Sequence, residues 1–150
     1  MYYLKNWQKR WGIPDQAMLE LNALYGTTAH VPKIGETGES ESIVQQKVRF
    51  EASQQGIKLW RNNVGAYQDD RGGFVRYGLA NESKKMNTIL KSSDLIGITP
   101  VNIGGTTLGI FTSYEVKKAG WKWSGNKHEL AQQKWLELVV SMGGIGKFVC

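Results

Sequence analysis

Two adjacent glycines, Gly104-Gly105, stand between two runs of strand-forming residues, and that punctuation constrains the fold most. Leu95-Ile-Gly-Ile98 is a short apolar run of the kind that forms a buried strand. Thr107 to Lys117, with Phe111, Tyr114 and Val116, reads as a longer strand. The glycine pair marks a turn between them. If the two strands are neighbours, Asp94, which stands just before the first, comes within reach of Glu115 in the second. Residues two apart on a strand share a face, so Glu115 and Lys117 project together.

Helices are expected on either side of this pair in the chain. Ser40 is placed to cap a helix from Glu41 to about Gln55, with Val44, Val48 and Ala52 recurring every four residues, Ile43 and Lys47 beside them, and Gly56 as its stop. A second helix is expected over His128–Met142, with Leu130, Trp135, Leu138 and Val139 apolar and Gly143-Gly144 at its end. Ile145–Val149 then forms a last strand. Ile57–Asn63 alternates like a strand. Residues 64–73 are turn-rich, Phe74–Tyr77 is the return strand of a hairpin, and the polar, basic stretch 81–91 reads as a mobile loop. This order predicts an α/β domain, a central mixed sheet flanked by helices.

The domain is expected over 40–150. Residues 1–39 read as a helical extension and linker: Tyr2, Tyr3, Trp7 and Trp11 alternate with Lys5, Lys9 and Arg10, Gln16–Tyr25 forms a short helix, and a Gly, Thr, Ser and Pro-rich stretch follows. A chain of 150 residues suffices for one such core. No apolar run approaches the roughly 18–20 residues of a membrane span, and the first residues lack a signal-peptide pattern. A soluble, cytoplasmic protein without membrane contact is expected. Cys150, the one cysteine, has no disulfide partner and reads as a frayed terminal thiol. The formal charge of +6 favours a polyanionic partner, nucleic acid above all.

Asp94, Glu115 and Lys117 supply a chemistry for that partner. Phosphodiester hydrolysis is slow because an anionic phosphate repels an anionic nucleophile. Two carboxylates hold a hard divalent cation that screens the charge and acidifies water, and an ammonium beside them orients water or neutralises a phosphate oxygen. Glu41 has two readings, a helix-dipole carboxylate in the first turn or a member of the acidic site. Arg61 and Asn62 end a strand near a glycine turn, where they grip phosphate or satisfy the turn itself. Lys118, Lys122 and Lys127 flank the site loop as candidate phosphate contacts, and Trp121 and Trp123 in the same loop are expected to pack. Glu-x-Lys on a strand is common, and only the ordered set of segments is specific.

That ordered set resembles the VRR-NUC family, a branch of the PD-(D/E)xK nucleases. It comprises Ser40-Glu41 opening a helix, Trp60-Arg61-Asn62-Asn63 with Gly65-Ala66, Ser92-Ser93-Asp94-Leu95-Ile96-Gly97, Glu115-Val116-Lys117, and Gln132 followed by Gly143-Gly144. The resemblance covers roughly residues 40–149 and implies a restriction-endonuclease-like core. It implies that Asp94, Glu115 and the Val116 carbonyl hold Mg²⁺ or Mn²⁺, with Glu41 completing the acidic site directly or through water. Lys117 would position the attacking water, and Gln132, with Gln133 as its rival, would hold the lysine or a phosphate. Ser93 stands where the superfamily has proline; serine is usual in this branch. The implied activity is a DNA endonuclease, junction-resolving or nicking, leaving a 5′-phosphate and a 3′-hydroxyl. Stand-alone members are commonly encoded by phages, which would place the protein in a host cytoplasm, and a homodimer would suit a two-fold junction. The alternatives are a sequence-preferring restriction-type endonuclease and a basic nucleic-acid-binding module without catalysis.

Overall fold

A computed structural model describes residues 8–18 and 40–150. Residues 1–7 and 19–39, which carry Tyr2, Tyr3, Lys5, Trp7 and most of the expected N-terminal helix, lie outside the described residues. Residues 8–11 and 15–18 are helical.

Helix α1 spans Glu41–Gln54, and Gly56 takes φ +76° just beyond it. Its four-residue stripe of Val44, Val48 and Ala52 is buried, whereas Ile43, one position off the stripe, remains 44% exposed. The stripe packs with Leu59, Leu95, Tyr114, Val116, Ile145 and Val149 in the main core. A valine buried this fully contributes about 1.5–3 kcal/mol.

Four strands form the central sheet: β1 (Lys58–Arg61), β4 (Leu95–Ile103), β5 (Thr106–Val116) and β6 (Ile145–Val149), in the order β1-β4-β5-β6. The first two pairings are antiparallel and β5–β6 is parallel, so the sheet is mixed. Antiparallel β4 and β5 follow one another through Gly104-Gly105, both at positive φ. A parallel pair needs a long crossover, and helix α3 (Lys127–Ser141) lies in that connection between β5 and β6. Gly143, at φ +88°, ends the helix. Gly97 is fixed by close approach: a Cβ there would fall 1.8 Å from the Lys58 carbonyl oxygen across the β1–β4 pair.

Strand alternation assigns the two faces of β5. Tyr114 and Val116 join the core beneath α1. Ser113 and Glu115 point the other way, towards α3, where Trp135 Nε1 donates to Ser113 Oγ at 2.8 Å. The chain is thus a mixed α/β structure with helices on a central sheet.

Three local expectations are corrected. The stretch 81–91 is not all loop: Ser83 Oγ accepts from Met86 N at 3.0 Å and caps a short helix, α2 (Lys84–Ile89). Phe74–Tyr77 (β3) pairs with Gly65–Gln68 (β2), inside the stretch read as turn, and the two form a separate ribbon. Its tip is closed by Asp69 Oδ1, which accepts from the backbone of Arg71 and Gly73. Its base is closed by buried Asn81, whose amide donates to the carbonyls of Gly65 and Tyr77. Cys150 is buried rather than frayed. No helix among the described residues is long and apolar enough to cross a membrane.

Candidate active site

The β4–β5 register builds the site. The last ladder pair is Leu95↔Tyr114, so one further step sets Asp94 opposite Glu115. Asp94 Oδ2 accepts the Val116 backbone N–H at 2.9 Å and closes that end of the ladder. The Asp94 carbonyl accepts from Asn62 N at 2.7 Å. The Asn62 amide donates to Ser92 Oγ at 2.9 Å and to the Ser93 carbonyl at 2.8 Å. Both N–H groups of this amide are therefore occupied in fixing the segment that carries Asp94.

Glu115 is 2% exposed. Its Oε1 accepts from Lys117 Nζ at 3.0 Å and closely from Gln132 Nε2. Lys117 Nζ also donates to Gln132 Oε1 at 2.8 Å, so the three side chains form a closed triangle across β5 and α3. Gln133, the neighbouring amide, instead bonds Glu137 on the exposed side of the helix. Lys117 is steadied by aromatic rings, its Nζ lying 5.8 Å from the centroids of both Trp121 and Phe148. Those rings stack at 5.1 Å, and Trp123 meets Trp121 edge-on, so both loop tryptophans pack.

Burial is the largest influence on Glu115 and pushes its pKa up to about 8; Asp94 adds to the rise, and Lys117 offsets part of it. Glu41, the first residue of α1, is raised in the same direction, by burial and then by Asp94, with Lys117 opposing. Three carboxylates thus crowd one lysine. Among the described residues Asp94 Oδ1 and Glu115 Oε2 accept no hydrogen bond. This donor set fits a hard divalent cation, which would relieve the crowding. Among the described residues no three His, Cys, Asp or Glu side chains are grouped to hold a metal by themselves. A cation would therefore rest on Asp94 and Glu115 with backbone oxygen and water, and Glu41 would act through water.

The structure brings Asp94, Glu115, Lys117 and Gln132 together, with Glu41 at the rim. Arg61 and Asn62 line a cleft of about 370 Å³ that includes Asp94. Lys118 and Lys122 are exposed on the loop leading to α3, and Lys127 is exposed as its first residue; none of the three lines that cleft. Beside Asp94, the Ser93 hydroxyl is buried without a hydrogen-bond partner.

Sequence reasoning missed the second cleft, about 380 Å³, where Arg76, Lys91 and His128 join Asp94 and Gln132. One signal was available: His128 and Gln132 are four residues apart and share a face of α3. Sequence reasoning also missed Glu129, which anchors the loop before α3. Its carboxylate accepts from Trp121 Nε1, Ser124 N, Ser124 Oγ and Gly125 N at 2.7–2.9 Å. The Asn126-x-x-Glu129 spacing of a helix start was its signal: Asn126 Oδ1 accepts from Glu129 N at 2.9 Å.

No protein-family model, no curated protein and no solved structure matches the chain.

Proposed function

We propose that the chain is a metal-dependent endonuclease that hydrolyses phosphodiester bonds in DNA, acting on branched or nicked structures. The observation that carries this reading is the triangle of Glu115, Lys117 and Gln132 set beside Asp94. The sheet order β1-β4-β5-β6, with α1 and α3 against opposite faces of β5, supports a restriction-endonuclease-like core.

Each residue has a separable task. Asp94 and Glu115 would hold Mg²⁺ or Mn²⁺, which when bound supplies charge screening and a more acidic water. An ammonium has three N–H donors; Lys117 spends two, on Glu115 and Gln132, and directs the third to the attacking water or a phosphate oxygen. Gln132 fixes the lysine. Glu41 holds water at the rim. The water oxygen forms the new bond to phosphorus as the bond to O3′ breaks, leaving a 5′-phosphate and a 3′-hydroxyl. The net charge of +6 favours encounter with the substrate. Two copies of the chain would present two centres to a four-way junction.

The test is a panel of plain duplex, flap, nicked and four-way DNA, incubated with Mg²⁺ and with Mn²⁺. Cleavage is expected on the branched or nicked members, abolished in Asp94→Ala while DNA affinity persists. Cleavage that survives both Asp94→Ala and Lys117→Ala would exclude this centre. Cuts confined to one sequence in plain duplex would mark a restriction-type enzyme instead.

A further inference from the structure

The second cleft beside Asp94 has a composition of its own. Between the β2–β3 ribbon and the start of α3, its walls carry Arg76, Lys91 and His128, with the amides of Asn87 and Gln132, and Asp94 is its one carboxylate. Arg76 and Lys91 are half-buried. Arg76 Nη1 donates to buried Asn81 at 3.1 Å, and Lys91 Nζ to Asn87 Oδ1 at 3.0 Å. Both cations are therefore held by neutral oxygens, and no ion pair involving either is found among the described residues. The Lys91 backbone is fixed as well, its N–H donating to the Ala131 carbonyl at 3.1 Å. His128 feels this crowding: burial first, then Lys91 and Lys117, push its pKa below the usual histidine value, against Asp94 and Glu129.

Partly desolvated cations with only neutral partners are completed by an anion, and arginine and lysine with amide donors match phosphate oxygens. The cleft opens on the residue assigned to the metal, so its anion belongs to the strand being cut.

We propose that Arg76, Lys91 and His128 form a second phosphate subsite, which takes a nucleic-acid phosphate neighbouring the scissile one and so fixes where along the strand the cut falls. This rests on the nuclease reading for the identity of the strand, though not for the binding itself. Lys91 is a positioning residue that meets phosphate and takes no part in bond breaking.

The test uses full-length protein in an Asp94→Ala background, so that binding is measured without cutting, on a labelled nicked duplex across a salt series. Each phosphate contact contributes about 0.9 to the slope of log affinity against log salt on duplex, and about 0.7 on single strands. Adding Lys91→Ala is expected to flatten the slope by about that amount, Lys91→Arg to restore it, and Lys134→Ala, an exposed lysine outside the cleft, to leave the Lys91 effect unmatched. Lys91→Gln, which keeps a donor for Asn87 and loses only the charge, covers the case of a misfolded alanine variant. With Asp94 intact and Mg²⁺ present, Lys91→Ala should raise KM with kcat little changed. Probes with one phosphate replaced by a neutral methylphosphonate, or lacking the 5′-terminal phosphate, locate the partner: one such change should erase the Lys91 effect, and which one does so tells an internal from a terminal phosphate. An unchanged slope in both Lys91→Ala and Lys91→Gln, or a loss matched by Lys134→Ala, would overturn the subsite. If the parent protein cuts none of the panel yet keeps the Lys91 slope effect, the nuclease reading falls and the subsite stands.

Discussion

Two buried glutamates sit fourteen residues apart in the sequence and behave oppositely. Glu129, at the start of α3, receives four hydrogen bonds from Trp121, Ser124 and Gly125. Burial alone would raise its pKa, yet the Ser124, Trp121 and Gly125 bonds hold it at about 2. Glu115, at the end of β5, is pushed up to about 8 by burial and by Asp94, despite a lysine in contact. The difference lies in the neighbours. Around Glu129 only donors converge, and the carboxylate is a fully used structural anchor. Around Glu115 two other carboxylates converge, and the site is left short of positive charge. A buried glutamate left crowded by carboxylates while another is fully satisfied marks the Glu115 centre as the candidate functional site.

The sharpest way to break this contrast is to remove the cation that contacts Glu115 and not Glu129, Lys117. Lys117→Ala should lower kcat by about 10²- to 10⁴-fold, read as initial cleavage rate with Mg²⁺, with the fold retained by circular dichroism. Exchanging charge for amide at the two glutamates should then give crossed results. Glu115→Gln should abolish Mg²⁺-dependent cutting and raise the thermal midpoint near pH 8, because a carboxylate disfavoured by burial is gone. Glu129→Gln should lower the midpoint and leave the cleavage rate of the folded protein within about two-fold; a fall in cleavage as deep as that of Glu115→Gln would refute the division of roles. Gln132→Ala is a milder break, expected to cost about 10- to 100-fold in metal affinity or rate, as for other groups that orient a metal ligand.

Acidity sharpens the comparison further, with smaller effects. For Glu115 the folded pKa lies above the unfolded one, so the native state binds the extra proton between about 4.5 and 8. Stability from this group is present below that window and is lost as pH rises through it. On the proposed reading the cation is held by this carboxylate, so Mg²⁺ affinity should climb over the same range. For Glu129 the folded pKa lies below the unfolded one. Its contribution is present above about 4.5 and is lost as pH falls towards 2. Urea unfolding from pH 3 to 9, with and without Mg²⁺, reads both trends, and a free-protein stability that rises from pH 5 to 8 in step with Glu115 ionisation would contradict the first.

What was legible in the sequence follows from how each element is held. Helix α1 was visible because its apolar stripe and its glycine stop are local. Helix α3 was visible from its length of helix formers and the Gly143-Gly144 stop, although Leu130 and Leu138, read among its apolar residues, are 43% and 44% exposed while Leu136 and Val139 are buried. Strand β5 was visible because β-branched and aromatic residues (Thr107, Ile110, Phe111, Thr112, Tyr114, Val116) dominate it. Helix α2 was not, since it buries no residue and its one clear mark is the Ser83 cap. The β2–β3 ribbon was obscured because its glycines read as turn and its closure depends on Asn81, a partner outside the two strands. The Glu115–Lys117 pairing could be inferred from strand alternation, and Gln132 entered only through the family resemblance. The roles of Asn62, Lys91 and Arg76 depend on segments that meet only in three dimensions, so no spacing announced them.

The register between β4 and β5 carries a further consequence. Asp94 and Glu115 belong to a hairpin turned by two glycines, and they face each other one step past its last bonded pair. Hairpin offsets change in whole residues, and each single-residue slip turns one side chain of a facing pair to the opposite surface. The gap between these two acids is therefore quantised: a chain of this design either has its paired acids or lacks them, and no gradual path of loosened geometry joins the two conditions.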